Sequence, residues 1–187
     1  PQDNSLVLVD DIQRVIYKTG GSEEAHYLAA KVFNPTGIDE FKEFYVPSER
    51  NQDFIVEKAQ TLKKDGRKLD AEINKDMIVF TNLEVGDGIY VKYKFQNFQY
   101  GELQRHFWQR HYFDLFYPCL SSRFSLILPD DIKFNYLMVN SDLKPKISYP
   151  DEGLKKYVWE ISNIESTKYQ LFMPSLSDVG RVLHISS

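Results

Sequence analysis

The segment Gly86-Asp87-Gly88-Ile89-Tyr90-Val91-Lys92-Tyr93-Lys94-Phe95 carries the clearest fold signal in the chain. Ile89, Val91, Tyr93 and Phe95 alternate with Tyr90, Lys92 and Lys94, the period of a strand with one buried face. Gly86-Asp87-Gly88 reads as a tight hairpin turn leading into it. Upstream, Phe54-Ile55-Val56 opens another strand, and Lys63-Lys64-Asp65-Gly66-Arg67 is a polar Asp-Gly hairpin turn. Leu69, Ala71 and Ile73 alternate with polar residues, and Met77 to Phe80 is a short apolar run. Downstream, the aromatic run Phe107 to Tyr117 and the strand Ser121 to Leu128 complete the stretch at Pro129.

The flanks follow the same pattern. Leu6 to Val9 and Ile12 to Tyr17 are β-rich, with Asp10-Asp11 between them, and His26 to Phe33 is a further strand closed by the turn Asn34-Pro35-Thr36-Gly37. Ile38, Phe41, Phe44 and Tyr45 stand at helical spacing, which predicts a short helix over Ile38 to Tyr45 ended by Pro47. Gln96 to Gln104 reads as a loop. Lys133 to Asn140, Asp142 to Ser148, Tyr157 to Ile164 and Val179 to Ile185 are strands, with Tyr157, Trp159 and Ile161 sharing one face. Short strands and turns at this frequency predict a mainly β fold, an antiparallel β-sandwich with at most one or two short helices. No long linker divides the chain, so residues 1–187 are read as a single domain.

The composition agrees. Tyr and Phe dominate a high aromatic content, which favours strands. A net charge of −4 with interspersed charges argues against nucleic acid as a partner, because phosphate binding needs a concentrated basic surface. The chain holds no apolar run of transmembrane length. It starts at Pro1 without a Met, the sign of a processed or trimmed chain.

The candidate chemistry is sparse. Cys119 is the single cysteine and the only thiol nucleophile on offer; His26, His106, His111 and His184 are the bases it would need. It follows Tyr117-Pro118 and enters a strand without a helix N-terminus to lower its pKa, so it is read as a buried structural thiol. His106 and His111, five apart, fall on opposite faces of a strand, and no Cys or carboxylate cluster completes a zinc set. Glu102, Asp114, Asp130 and Asp131 are the acids available for a glycosidase pair, but their spacing does not require one. No catalytic, cofactor-binding or metal-binding residue is assigned. In the aromatic run, Phe107 and Phe113 point to one face, and Trp108, Tyr112 and Phe116 to the other. One set is core; the other is an exposed platform for sugar rings or a peptide, or is covered by a neighbouring element. Arg105, Gln109 and Arg110 suit the rim of a binding surface and equally a solvated one. Trp108, Arg110, Tyr112 and Phe116 are therefore the candidate ligand or interdomain surface.

An ordered set of motifs resembles the DUF3857 domain. The set runs from Leu6-Val7-Leu8-Val9-Asp10-Asp11 through Lys64-Asp65-Gly66 to Val79-Phe80-Thr81-Asn82-Leu83-Glu84-Val85-Gly86-Asp87 and Ile89-Tyr90-Val91-Lys92-Tyr93. Tyr117-Pro118, Leu128-Pro129 and Trp159-Glu160-Ile161 extend it over nearly the whole chain. The resemblance implies a β-sandwich found N-terminal to a transglutaminase-like, cysteine peptidase-like domain in exported proteins of Bacteroidetes-type bacteria. It implies a non-catalytic accessory or interaction domain, excised from a longer protein that is periplasmic, cell-surface or secreted, which positions or regulates the catalytic domain or its substrate. The partner is then the transglutaminase-like domain of the same polypeptide. The family's catalytic Cys, His and Asp lie downstream of this domain, and Cys119 is not at the nucleophile's position. The alternative is a glycan- or peptide-binding module using the aromatics around Trp108.

Overall fold

The computed structural model describes residues 3–46, 52–97, 106–168 and 171–187. Its strands are β1 (Ser5–Ile16), β2 (Ser22–Val32), β3 (Glu43–Tyr45), β4 (Gln52–Leu62), β5 (Lys68–Asp70), β6 (Glu72–Asn74), β7 (Met77–Val79) and β8 (Gly88–Asn97). They continue with β9 (Trp108–Tyr112), β10 (Cys119–Pro129), β11 (Asn135–Val139), β12 (Lys146–Ser148), β13 (Leu154–Ile164) and β14 (Val182–Ser186). Two short helices, α1 (Pro35–Phe41) and α2 (Leu176–Val179), join them. The fold is the expected mainly β sandwich.

Eight strands form one large sheet in the order β12-β13-β10-β1-β2-β8-β4-β5. Its pairings are antiparallel except for β1 with β10, which run parallel. Two three-stranded sheets, β11-β14-β9 and β3-β7-β6, cover one face of it. The alternation in β8 is the reason that face is apolar: Ile89 and Val91 are fully buried and Tyr93 nearly so. Phe124, Leu126 and Leu128 of β10 and Trp159 of β13 continue the same surface. The Tyr136 ring of β11 packs edge-on against Trp159 at 5.4 Å, and Phe44 of β3 lies 6.1 Å from Tyr93. Burial of such side chains is worth about 1.5–3 kcal/mol each, and it holds the two layers together.

The other face of the large sheet is polar and internally paired. Lys94 bridges Glu23 and Glu57, Lys92 binds Glu57, and Arg123 binds Asp11. These are cross-strand pairs on a half-exposed surface.

Local differences from the sequence reading have physical reasons. The helix α1 starts earlier than the spacing suggested. The Asn34 side chain caps it by accepting from the Gly37 amide at 3.0 Å, and Pro35 occupies the first turn. It stops at Phe41, well before Pro47, because Glu43–Tyr45 is recruited as a strand by β7. Gly37 sits against the Asn4 carbonyl, where a Cβ would fall at 2.2 Å. Leu6 to Tyr17 is almost one continuous strand: a bulge between Val7 and Val9 turns Asp10 inward without ending β1. The Gly86-Asp87-Gly88 turn is not a hairpin; it carries the chain from the small sheet at β7 to the large sheet at β8. Ala71 likewise separates β5 in the large sheet from β6 in the small one. The last turn before β14, α2, was not expected. Most of the segment read as the loop Gln96 to Gln104 lies outside the described residues.

Candidate functional site

The strand β9 sits at the edge of the small sheet β11-β14-β9, and its period of two sorts its side chains as the sequence predicts. His111 faces the core, as do Phe107 and Phe113 just outside the strand, all three buried. Trp108 points outward and is 77% exposed, and Arg110 is exposed beside it. Register places Ser186 opposite Trp108, His184 opposite Arg110 and Val182 opposite Tyr112. On the far side of β14, Asn135 faces Ser186 and Leu137 faces His184. Two open rows result, Trp108–Ser186–Asn135 and Arg110–His184–Leu137, over a shallow groove of 420 Å³. Leu137 is 62% exposed. The third row is closed, because Val182 is fully buried and Tyr112 half-buried. Arg110 donates a 3.3 Å hydrogen bond to the Tyr112 hydroxyl.

The fourth candidate, Phe116, is elsewhere. It lies beyond the end of β9, 49% exposed, in a separate groove of 1040 Å³ with Leu120, Glu40 and the end of β13. The structure thus joins Trp108, Arg110 and Tyr112 on one sheet and leaves Phe116 apart. It adds Leu137, Ser186 and Asn135, and His184, which the sequence offered only as a base for Cys119.

Between the two layers runs a polar seam that the sequence reading missed. Arg14 donates to the Trp108 carbonyl at 3.0 Å and to the Gln109 side chain, and lies 3.8 Å from Glu24. Glu24 contacts His26 at 2.7 Å, and the His26 ring stacks on Tyr93 at 4.6 Å. Nearby, Asp10, Ser122 and His111 line up. Their residue types match a hydrolase triad, but their order does not. The Asp10 carboxylate contacts the Ser122 hydroxyl at 3.4 Å, and the His111 Nε2 lies 3.3 Å from that same hydroxyl, so the serine stands between the acid and the imidazole. A triad needs the reverse, a basic imidazole oriented by the carboxylate. Burial also pushes the His111 ring down to about 3 and the Asp10 carboxyl up to about 6. The three residues are a structural chain closing the layer.

Cys119 is 1% exposed at the start of β10, and burial together with Asp10 raises its thiol to about 11. It is a core thiol, as its sequence context predicted. A thiol reagent at pH 7.5 is expected to label it only after denaturation. Rapid labelling of the native protein would overturn that assignment. Of the four acids, Asp114 is held by the side chain and backbone amide of Arg181, and Glu102 lies outside the described residues. His106 is exposed and His111 buried, so they do not converge. Among the described residues, no group of His, Cys, Asp and Glu is arranged to hold a metal ion.

These features define a layered β module with one solvent-facing aromatic and cationic sheet face. The chain belongs to the DUF3857 family, described as a domain of unknown function with a solved structure, which matches residues 74–168. No curated protein matches the chain in sequence. Among solved structures, a proposed protease from Parabacteroides distasonis superposes with a TM-score of 0.85 at 16% identity; the overlap covers 98% of this chain and 40% of that one. Legionella pneumophila aminopeptidase A, solved with aspartic acid, superposes with a TM-score of 0.50 at 11% identity, over 100% of this chain and 22% of that one. At these identities the likeness is one of fold. The chain spans less than half the length of either protein.

Proposed function

We propose that residues 1–187 form a non-catalytic accessory module that positions or regulates a transglutaminase-like, cysteine peptidase-like domain of the same polypeptide in an exported bacterial protein. The observation that carries this reading is the superposition of 98% of the chain onto 40% of a larger proposed protease. The family match supports it. So does the chemistry on the page: the thiol is buried and un-ionised, and Asp10 contacts Ser122, not the His111 ring that a triad carboxylate orients. Domains packed within one chain bury patches that each would expose alone, and the exposed Trp108 supports this reading.

The test is the mass of the mature protein in its source cells, by immunoblot against this module. A band far above 22.0 kDa is expected. A band at the size of the module alone would overturn the accessory reading. The 77% exposure of Trp108 favours a second reading, a glycan- or peptide-binding module. That reading predicts that a binding glycan or peptide shifts the emission of Trp108, the exposed tryptophan of the two, while the fully buried Trp159 is expected to stay unchanged.

A further inference from the structure

The polar face of the large sheet and the outer face of β11-β14-β9 carry charges that differ in kind. On the polar face of the large sheet, cations and carboxylates neutralise one another across strands. On the outer face of β11-β14-β9 they do not. Arg14, Arg67, Arg123 and Arg181 each lie beside a carboxylate. Among the described residues, Arg110 has none within ion-pairing distance, and its hydrogen bond goes to the neutral Tyr112 hydroxyl. Among the described residues, those lining the groove at Arg110 include no Asp or Glu, although the chain as a whole carries a net charge of −4. His184 is the cross-strand neighbour of Arg110 and its ring can supply a hydrogen-bond donor beside the guanidinium.

Two apolar anchors flank this pair. Trp108 lies about 7 Å from Arg110 along β9, and Leu137 lies on the other side of His184 in the same row. A complementary ligand presents a carboxylate to Arg110 and His184 and apolar groups to Trp108 and Leu137. An aliphatic Leu at one anchor suits a side chain better than a sugar ring.

We propose that the Trp108–Arg110–His184–Leu137 face docks a protein segment in which an acidic residue stands next to apolar ones, contributed by the peptidase-type domain that this module accompanies. The inference rests on the accessory reading and gives it a contact surface. An Arg fork against a carboxylate fixes orientation, while the apolar anchors supply the buried area.

The experiment places a benzophenone photo-crosslinking residue at Leu137 in the full protein in its source cells, with peptide mapping of the adduct. The expected adduct is a segment of the same polypeptide's peptidase-type domain, with Asp or Glu within a few residues of the crosslinked apolar position. Arg110→Glu is expected to lower its yield about tenfold, the value of one charge-assisted contact. Trp108→Ala lowers it as well. Both side chains are exposed, so neither change should move Tm appreciably, and a Tm control separates misfolding from lost docking. No adduct, an adduct to a glycan, or a yield unchanged by Arg110→Glu would overturn the proposal while leaving the accessory reading intact. An acidic-apolar adduct on a different polypeptide would overturn the proposal too, because the occupant it names is a segment of the same polypeptide.

Discussion

Asp87→Ala is expected to destabilise the fold by about 3 kcal/mol, the low end for removing one partner of a buried ion pair, and so to lower Tm by roughly 6–12 °C. The Asp87 carboxylate is fully buried. It accepts from Lys63 Nζ at 2.5 Å and from the backbone amides of Lys64 and Glu84 at 3.0 and 2.9 Å. One side chain thereby ties the β4–β5 hairpin to the turn that crosses between sheets. The Ala variant strands the Lys63 ammonium in the gap. The Asn82 carbonyl and the exposed Glu84 carboxylate remain as partners, which keeps the loss at the low end. Burial alone would raise the Asp87 carboxyl; Lys63 and the two amides outweigh it and hold it below the ordinary value of 3.8. A depressed carboxyl contributes stability that is present above the unfolded value and lost as the pH falls through the lower folded value. The Tm gap between wild type and Asp87→Ala should be full at pH 7 and should narrow below about pH 4. Thermal melts at the two pH values check both statements, and equal Tm values at pH 7 would refute the pairing.

Asp10→Asn should have the opposite sign. Burial raises this carboxyl from 3.8 to about 6, against the pull of His26 and the Ser122 hydroxyl, with Asp11 adding to the rise. At pH 7.5 the group is ionised inside the sandwich, and the shift corresponds to about 3 kcal/mol. A raised carboxyl favours folding below its unfolded value, and that benefit disappears as the pH rises through 6. The neutral Asn variant should therefore gain most at pH 7.5 and nothing near pH 4. His111 works against Asp10 in the same window. Its folded value is pushed down to about 3, so the stability it contributes is present above 6.5 and lost as the pH falls. Between pH 4 and 6 the native state takes up the Asp10 proton while the unfolded chain takes up that of His111, and the two effects offset. Removing Asp10 leaves His111 unopposed. The Asn variant should lose stability with acid faster than wild type by about 1.4 kcal/mol per pH unit. A gain of equal size at pH 4 and 7.5 would show that the Asp10 carboxyl is not protonated in the fold.

The elements that could be read from the sequence are those set by local geometry. The alternation over Ile89 to Phe95, the Asp-Gly turn at Gly66 and the outward set Trp108, Arg110 and Tyr112 follow from the period of a strand and from turn chemistry. The helix before β3 was visible as helical spacing, but its end was not. Pairing with β7, a segment distant in sequence, converted Glu43–Tyr45 to strand and overrode the local pattern. The even spacing groups Phe116 with Trp108 on one strand, but the strand ends at Tyr112 and Phe116 lies beyond it.

What the amino-acid sequence alone determined is the class of fold, the buried set and the identity of the family, because each depends on residue types at short spacing. Tertiary structure decided what lies beside what. The strand order β11-β14-β9 and the parallel pairing of β1 with β10 bring together residues far apart in the chain, and no local period encodes which strand a given edge will choose. His184 and Leu137 join Trp108 and Arg110 through that choice. Asp10, Ser122 and His111 meet for the same reason, and their burial, which sets their charge states, exists only once the two layers close.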